Sequence, residues 1–292
     1  MMRLLAAIAA LALALPAAAG DCDVIEPAKV AIAPLNIPPG RTIGLALGSG
    51  SLHALAHVGV VEALEDAGVK VEVVTGTSAG AIVGSLWASG MPAHEIERRA
   101  LDSDWNDTGT LRLSGGGIMS NAKLRTELEG IFGNRPIETW PRRFAAVATN
   151  VANGHTRLLM TGSGALAVQA STAMPAIYAP VAVGDEKLAD GALVQPVPVD
   201  AARALGANYV IAVDVAYRPY EEAVSGISGY AFQAMHILVN KLAERQLRDA
   251  DLVIRLDVHH LMGCGGAVMV AAGRAAMMRA LPDLQKSLAA AR

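Results

Sequence analysis

The residues best suited to chemistry in this chain are a serine between glycines, Gly76-Thr77-Ser78-Ala79-Gly80, and a carboxylate in an Asp-Gly pair, Asp190-Gly191. A serine hydroxyl is a poor nucleophile until a base takes its proton. The serine lies between an apolar strand-like run, Val69 to Val74, and a helix-like run, Ala79 to Trp87, that Gly90 stops. That is the setting of a G-x-S-x-G elbow, a sharp strand-to-helix turn that thrusts the hydroxyl into a cleft. Gly76 and Gly80 let strand and helix cross where side chains would clash. The N–H groups that open the following helix point toward the serine, where an oxyanion would form. A plain serine in a Gly-rich turn is the lesser alternative for Ser78, whereas Asp190 in isolation reads as a turn residue.

A third element is Gly48-Ser49-Gly50-Ser51, between an apolar strand-like run, Ile43 to Leu47, and a helix from Ala54. Such a loop presents backbone N–H groups suited to an oxyanion hole. It is not a dinucleotide loop, because His53 stands where that fingerprint needs its last glycine. It is not a phosphate loop either, because no Gly-Lys-Ser/Thr follows. Among the seven histidines, His236, His259 and His260 follow Asp190 in the order a Ser-Asp-His triad would need. His236 falls inside a predicted helix, a poor place for a catalytic loop histidine. His259 and His260 follow a strand and are the candidates for that triad, or equally exposed loop residues or a weak metal pair. His57 is expected to pack or cap locally, and Asp214 to bond at a strand end. No Cys, His and carboxylate cluster has metal-site spacing.

These residues need a scaffold. Strands are expected at 43–47, 70–75, 209–215 and 252–257. Helices are expected at 54–67, closed by Gly68, and at 79–89, 165–173, 228–249 and 266–290. A hairpin is expected around Asn153-Gly154, and a further helix begins after Ser120. Residues 103–119, with Gly115-Gly116-Gly117, read as a loop. Strands alternating with helices imply α/β architecture, a mainly parallel sheet covered on both faces. No linker divides residues 41–292, which read as one domain. Met262, Met269, Met277 and Met278 are expected to pack helices.

Net charge is −3, so there is no basic footprint for nucleic acid. Residues 1–20 read as a signal peptide: Arg3, an apolar run Leu4 to Leu15, Pro16 and small residues Ala17-Ala18-Ala19. This predicts export, to the periplasm or beyond the cell. Residues 21–40, with Pro27, Pro34, Pro38 and Pro39, read as an extended arm. The two cysteines, Cys22 and Cys264, either pair in an oxidising compartment or remain free and buried.

In the order and spacing of its motifs the chain resembles the patatin-like phospholipases. The likeness rests on Leu45-Ala46-Leu47-Gly48 leading to His57-Val58-Gly59-Val60-Val61, and on Gly76-Thr77-Ser78-Ala79-Gly80. It is extended by Ala170-Ser171-Thr172-Ala173-Met174-Pro175, Tyr178-Ala179-Pro180-Val181 and Asp190-Gly191-Ala192. The resemblance implies a three-layer α/β/α fold and a Ser-Asp dyad, Ser78 as nucleophile and Asp190 as base. It implies hydrolysis of acyl esters of lipids, without metal or organic cofactor. Transient contact with a membrane surface accompanies such a substrate. Segments 103–119 and 216–230, with Tyr217, Tyr220, Ile227 and Tyr230, are candidates to cover the cleft or touch lipid, or are ordinary surface loops. The oxyanion loop departs from the family's pattern of three glycines, any residue, Arg or Lys, and glycine. Here Ser49-Gly50-Ser51-Leu52-His53-Ala54 keeps only Gly50. A catalytically weak or inactive binding protein of the same fold is therefore the alternative reading. Oligomeric state is left open.

Overall fold

The computed structural model describes Cys22, Ile37 and residues 39–102, 110–114, 117–216, 218, 224–261 and 264–290. Residues 1–20, expected to be a signal peptide, most of the expected arm, Tyr217, Tyr220 and Met262 lie outside the described residues. The elements run β1 (Ile43–Leu47), α1 (Ala54–Asp66), β2 (Val73–Thr77), α2 (Ala79–Ala88) and α3 (Ala93–Asp102). Next come β3 (Thr110–Ser114), β4 (Gly117–Ser120), α4 (Ala122–Phe132), β5 (Arg143–Asn150), β6 (Thr156–Leu159) and α5 (Gly164–Ser171). The chain continues with β7 (Val181–Val183), β8 (Glu186–Asp190), α6 (Val199–Ala204), β9 (Tyr209–Asp214), α7 (Gly226–Gln246), β10 (Leu252–Arg255) and α8 (Gly266–Ala290).

Pairing builds one sheet in the order β10-β9-β1-β2-β5-β8-β7, with β6 also on β5. Strands β10, β9, β1, β2 and β5 are parallel, and β6, β8 and β7 join antiparallel. Strand β1 shows why the sheet is covered on both faces. Ile43, Leu45 and Leu47 enter a large cluster with α1, α2 and α8, whereas Ala46 enters a second cluster with Val199 and Ala202 of α6 and Ala243 of α7. Period-two alternation sends successive side chains to opposite faces, so a strand apolar throughout needs helices on both. The result is the expected three-layer α/β/α arrangement.

The hairpin around Asn153-Gly154 forms as β5 and β6, with Gly154 at φ +72°. Met269 and Met277 are buried in the large cluster, as expected. Cys22 is disulfide-bonded to Cys264, just before α8. Two segments depart from the sequence reading. Residues 103–119 are not a plain loop: Thr110–Ser114 and Gly117–Ser120 pair as a two-stranded antiparallel ribbon with a register shift. Strand β8 was hidden by its length and its lysine and glutamate; it forms because Gly184, at φ +58°, turns β7 back onto it.

Candidate active site

The site lies at the carboxyl ends of β1 and β2, where open α/β sheets place their ligands. Leu47 and Gly76 are register partners there, so the loop after β1 and the turn after β2 are side by side. The turn is tight for a steric reason. A Cβ at Gly76 would come within 2.4 Å of the Gly80 carbonyl oxygen, and one at Gly80 within 2.1 Å of the Leu47 carbonyl oxygen. Ser78 takes φ +53°, ψ −119°, a left-handed backbone that a non-glycine residue holds only when its surroundings enforce it. Enforcement is visible on both sides. The Ser78 carbonyl accepts the N–H groups of Ala81 and Ile82. Its own N–H donates to the Ser171 hydroxyl at 3.0 Å, and that hydroxyl donates to the Val147 carbonyl at 2.6 Å. The Thr77 hydroxyl is tied to the Gln195 carbonyl at 2.7 Å.

Register explains how a carboxylate 112 positions further along (190 − 78) reaches this turn. On β5, Ala146 and Val147 pair with both β2 and β6, so those two strands lie on opposite edges. Ala148 pairs with both β6 and β8. Strands β2 and β8 therefore share one edge of β5, running toward each other. Strand β2 ends at Thr77, opposite Val147, and β8 ends at Asp190, opposite the next residue, Ala148. The two chains meet head to head, so that Ser78 and Asp190 line one cavity and the Ser78 side chain acts on the Asp190 carboxylate. Asp190 also caps its own turn, Oδ1 accepting from the Ala192 N–H at 2.9 Å. Its side chain is buried, which pushes its pKa from 3.8 to about 6. The Ala192 N–H and the Ser78 side chain oppose that rise without cancelling it.

The glycine/serine loop is braced from three sides. The N–H of Gly48 donates to Val213 and that of Ser49 to Pro196. His57 Nε2 donates to the Gly48 carbonyl at 2.8 Å, and His53 Nδ1 donates to the Val215 carbonyl at 2.9 Å. Both histidines are buried, and burial pulls the His57 pKa down to about 4, leaving that ring neutral. The donor set is narrower than the sequence suggests. The N–H groups of Gly48 and Ser49 are already used, whereas those of Gly50, Ser51 and Ala79 have no acceptor among the described residues. A Cβ at Gly50 would come within 2.9 Å of the Val215 carbonyl oxygen, so this glycine is needed for closeness. Ser51 sits at φ +48°, the strained geometry that glycine would take freely.

Ser78, Asp190, Gly50 and Ser51 line one cavity of about 60 Å³ with Met174 and His236. A water needs roughly 10–15 Å³ on this measure, so the cleft as it stands holds a few waters and is too small to bury an acyl chain. Its roof is α7. His236 is helical, as the sequence indicates, yet it faces the site; burial lowers its pKa. His260 is exposed and does not line the cavity, and the side chain of His259 lies outside the description. Asp214 is buried at the end of β9, where it accepts from the Ala216 N–H and pairs with Arg218 and Arg255. No group of three or more His, Cys, Asp or Glu able to hold a metal occurs among the described residues. Ser171 was missed as a site residue because a serine in a small-residue helix carries no chemical signal of its own.

In comparison with known proteins, the family model described as patatin-like phospholipase matches residues 45–203. An uncharacterised NTE family protein of Mycobacterium tuberculosis (strain CDC 1551 / Oshkosh) is 34% identical over 180 residues, 60% of this chain and 30% of that protein. Lysophospholipase NTE1 of Meyerozyma guilliermondii is 32% identical over 186 residues, 62% of this chain and 13% of that protein. This chain thus spans less than a third of the length of either relative. Among solved structures, VipD from Legionella pneumophila superposes with a TM-score of 0.54 at 15% identity, over 84% of this chain and 67% of that one. At that identity the likeness is one of fold.

Proposed function

The chain belongs to the patatin-like phospholipase family, and from that premise we propose that it is a serine acyl hydrolase cleaving carboxylic esters of lipids. The observation that carries this reading is the convergence of Ser78 and the buried Asp190 in one cavity, where β2 and β8 end opposite neighbouring residues of β5. In the proposed reaction Ser78 Oγ attacks the acyl carbon while its proton passes to Asp190. The carbonyl oxygen becomes an oxyanion, held by the N–H groups of Gly50, Ser51 and Ala79. Collapse breaks the ester bond, and Asp190 gives the proton to the departing alcohol. A water then attacks the acyl-enzyme as Asp190 takes its proton. When the second intermediate collapses, Ser78 Oγ recovers that proton and the free acid leaves. No step calls for a metal or an organic cofactor.

A carboxylate held near pH 6 suits this work, because a base of ordinary carboxylate strength would take the proton less readily. Export to the periplasm or beyond the cell is part of the proposal. It is supported by the apolar run Leu4 to Leu15 and by the bond between Cys22 and Cys264, which suits an oxidising compartment. The second reading, a binding protein without turnover, is favoured by Ser51 at φ +48° in a loop that keeps only one of its family glycines, Gly50.

A fluorophosphonate probe separates the two readings. The expected outcome is covalent labelling of the wild type that Ser78→Ala abolishes with the fold intact. A folded wild type that takes no label and hydrolyses no lipid ester would establish the binder instead.

A further inference from the structure

The roof of the cavity has a second face. Met235, His236, Val239 and Asn240 of α7 point down at the site. On the opposite side Ile227, Tyr230, Ala231, Ala234, Ile237 and Leu238 recur at helical spacing, and all are exposed. The three largest contributors stand far out of the protein: Ile227 is 93% exposed, Leu238 70% and Tyr230 64%. A helix with apolar residues on both faces belongs inside a protein or at an apolar boundary.

The next turns change character. Lys241 pairs with Glu244 at 3.0 Å, and Glu244 also feels Arg255 and Arg218. Arg218 and Arg255 share Asp214. That is three cations against two carboxylates at the end of the stripe, and Arg245, the next residue of the helix after Glu244, is exposed. An apolar stripe ending in a net positive cluster matches an anionic lipid surface, where the side chains enter the acyl boundary and the cations meet headgroups. Among the described residues no helix is long and apolar enough to cross a membrane, so α7 would lie along the surface.

We propose that the outer face of α7 docks onto an anionic lipid surface, and that this docking draws the roof off the Ser78 chamber. The proposal rests on the acyl-hydrolase reading and gives it a route for substrate. A cleft of about 60 Å³ is far below the roughly 300–1,000 Å³ of a typical ligand pocket, so it buries an acyl chain only if α7 moves outward. The helix that must move is the one whose back is apolar. A lipid surface seated there brings substrate to the opening, whereas a protein partner seated there would bar it.

The test uses the whole mature protein and the double variant Ile227→Glu/Leu238→Glu, whose changes are exposed and leave the core untouched. Flotation is measured with vesicles of phosphatidylcholine, with and without phosphatidylglycerol. Turnover of a soluble short-chain ester is measured alongside, with sedimentation for oligomeric state. The expected result is wild-type flotation that strengthens with phosphatidylglycerol, and at least about a tenfold loss of binding in the variant. Soluble-ester turnover without vesicles stays unchanged in the variant. The proposal falls if the variant floats as well as the wild type. It also falls if the wild type ignores vesicles and sediments as a dimer that the variant dissolves, which would assign the stripe to a second copy. A wild type that floats but hydrolyses no ester even with vesicles present leaves docking standing and sinks the hydrolase reading, whereas soluble-ester turnover that vesicles do not raise sinks the roof movement.

Discussion

Asp190→Asn should make this protein more stable while removing its activity, and the gain should depend on pH. Asparagine keeps the shape and an oxygen able to accept from the Ala192 N–H, the 2.9 Å bond that closes the turn. What it loses is the buried charge. Burial raises the Asp190 pKa from 3.8 to about 6; at about 1.4 kcal/mol per pH unit, that rise corresponds to about 3 kcal/mol. The folded value lies above the unfolded one. The native state therefore favours the protonated acid, and this stability is complete below about pH 4 and is lost as pH rises through about 6. The variant has no such loss, and every other titrating group cancels in the comparison. Urea unfolding with the disulfide intact should give nearly equal stabilities at about pH 4 and a gap approaching 3 kcal/mol at about pH 8. In a thermal scan the gap at the higher pH is a rise of roughly 6–12 °C. A gap that does not change with pH, or a variant less stable than wild type at pH 8, would refute the assignment of a costly buried carboxylate.

Two further outcomes follow from the same geometry. The pH profile of kcat/KM should rise through about pH 6 and then level, because only ionised Asp190 accepts the Ser78 proton; a profile flat from pH 5 to 8 would remove Asp190 as the base. Ser171→Ala should lower kcat on the order of 10–100-fold with KM unchanged, because the Ser78 N–H at 3.0 Å and the Val147 carbonyl at 2.6 Å both lose their partner. Steady-state kinetics on a soluble ester checks this; a rise in KM alone would place Ser171 in substrate binding instead.

What the sequence revealed and what it hid divide along the range of the interactions. The strand at 43–47 and the helices at 79–89 and 266–290 were legible because each is a local pattern of apolar residues with a glycine or turn signal at its end. The elbow was legible for the same reason, since Gly76, Ser78 and Gly80 lie within one turn. The short ribbon at 110–120 was not, because three consecutive glycines signal a break more strongly than four- or five-residue strands signal pairing. The meeting of Ser78 with Asp190 is set by register on β5, a strand containing neither residue. Resemblance supplied the pairing; no spacing in the chain encodes it. Ser171 escaped for the same reason, its partners lying 93 and 24 positions away.

Helix α7 shows a subtler failure. Its apolar positions fall on two opposite faces, so they blur the one-sided periodicity by which a buried face is recognised. Only the fold separates them: Met235 and Val239 belong to the cavity, and Ile227 and Leu238 to the outside. The site carries a related conflict. The ionised form of Asp190 is the form that burial disfavours, and Ser78 holds a backbone that an ordinary serine avoids. A chain selected for stability alone would relax both. Both persist at the point where two strand ends meet beneath α7, which is the arrangement that the proposed nucleophile and base would require.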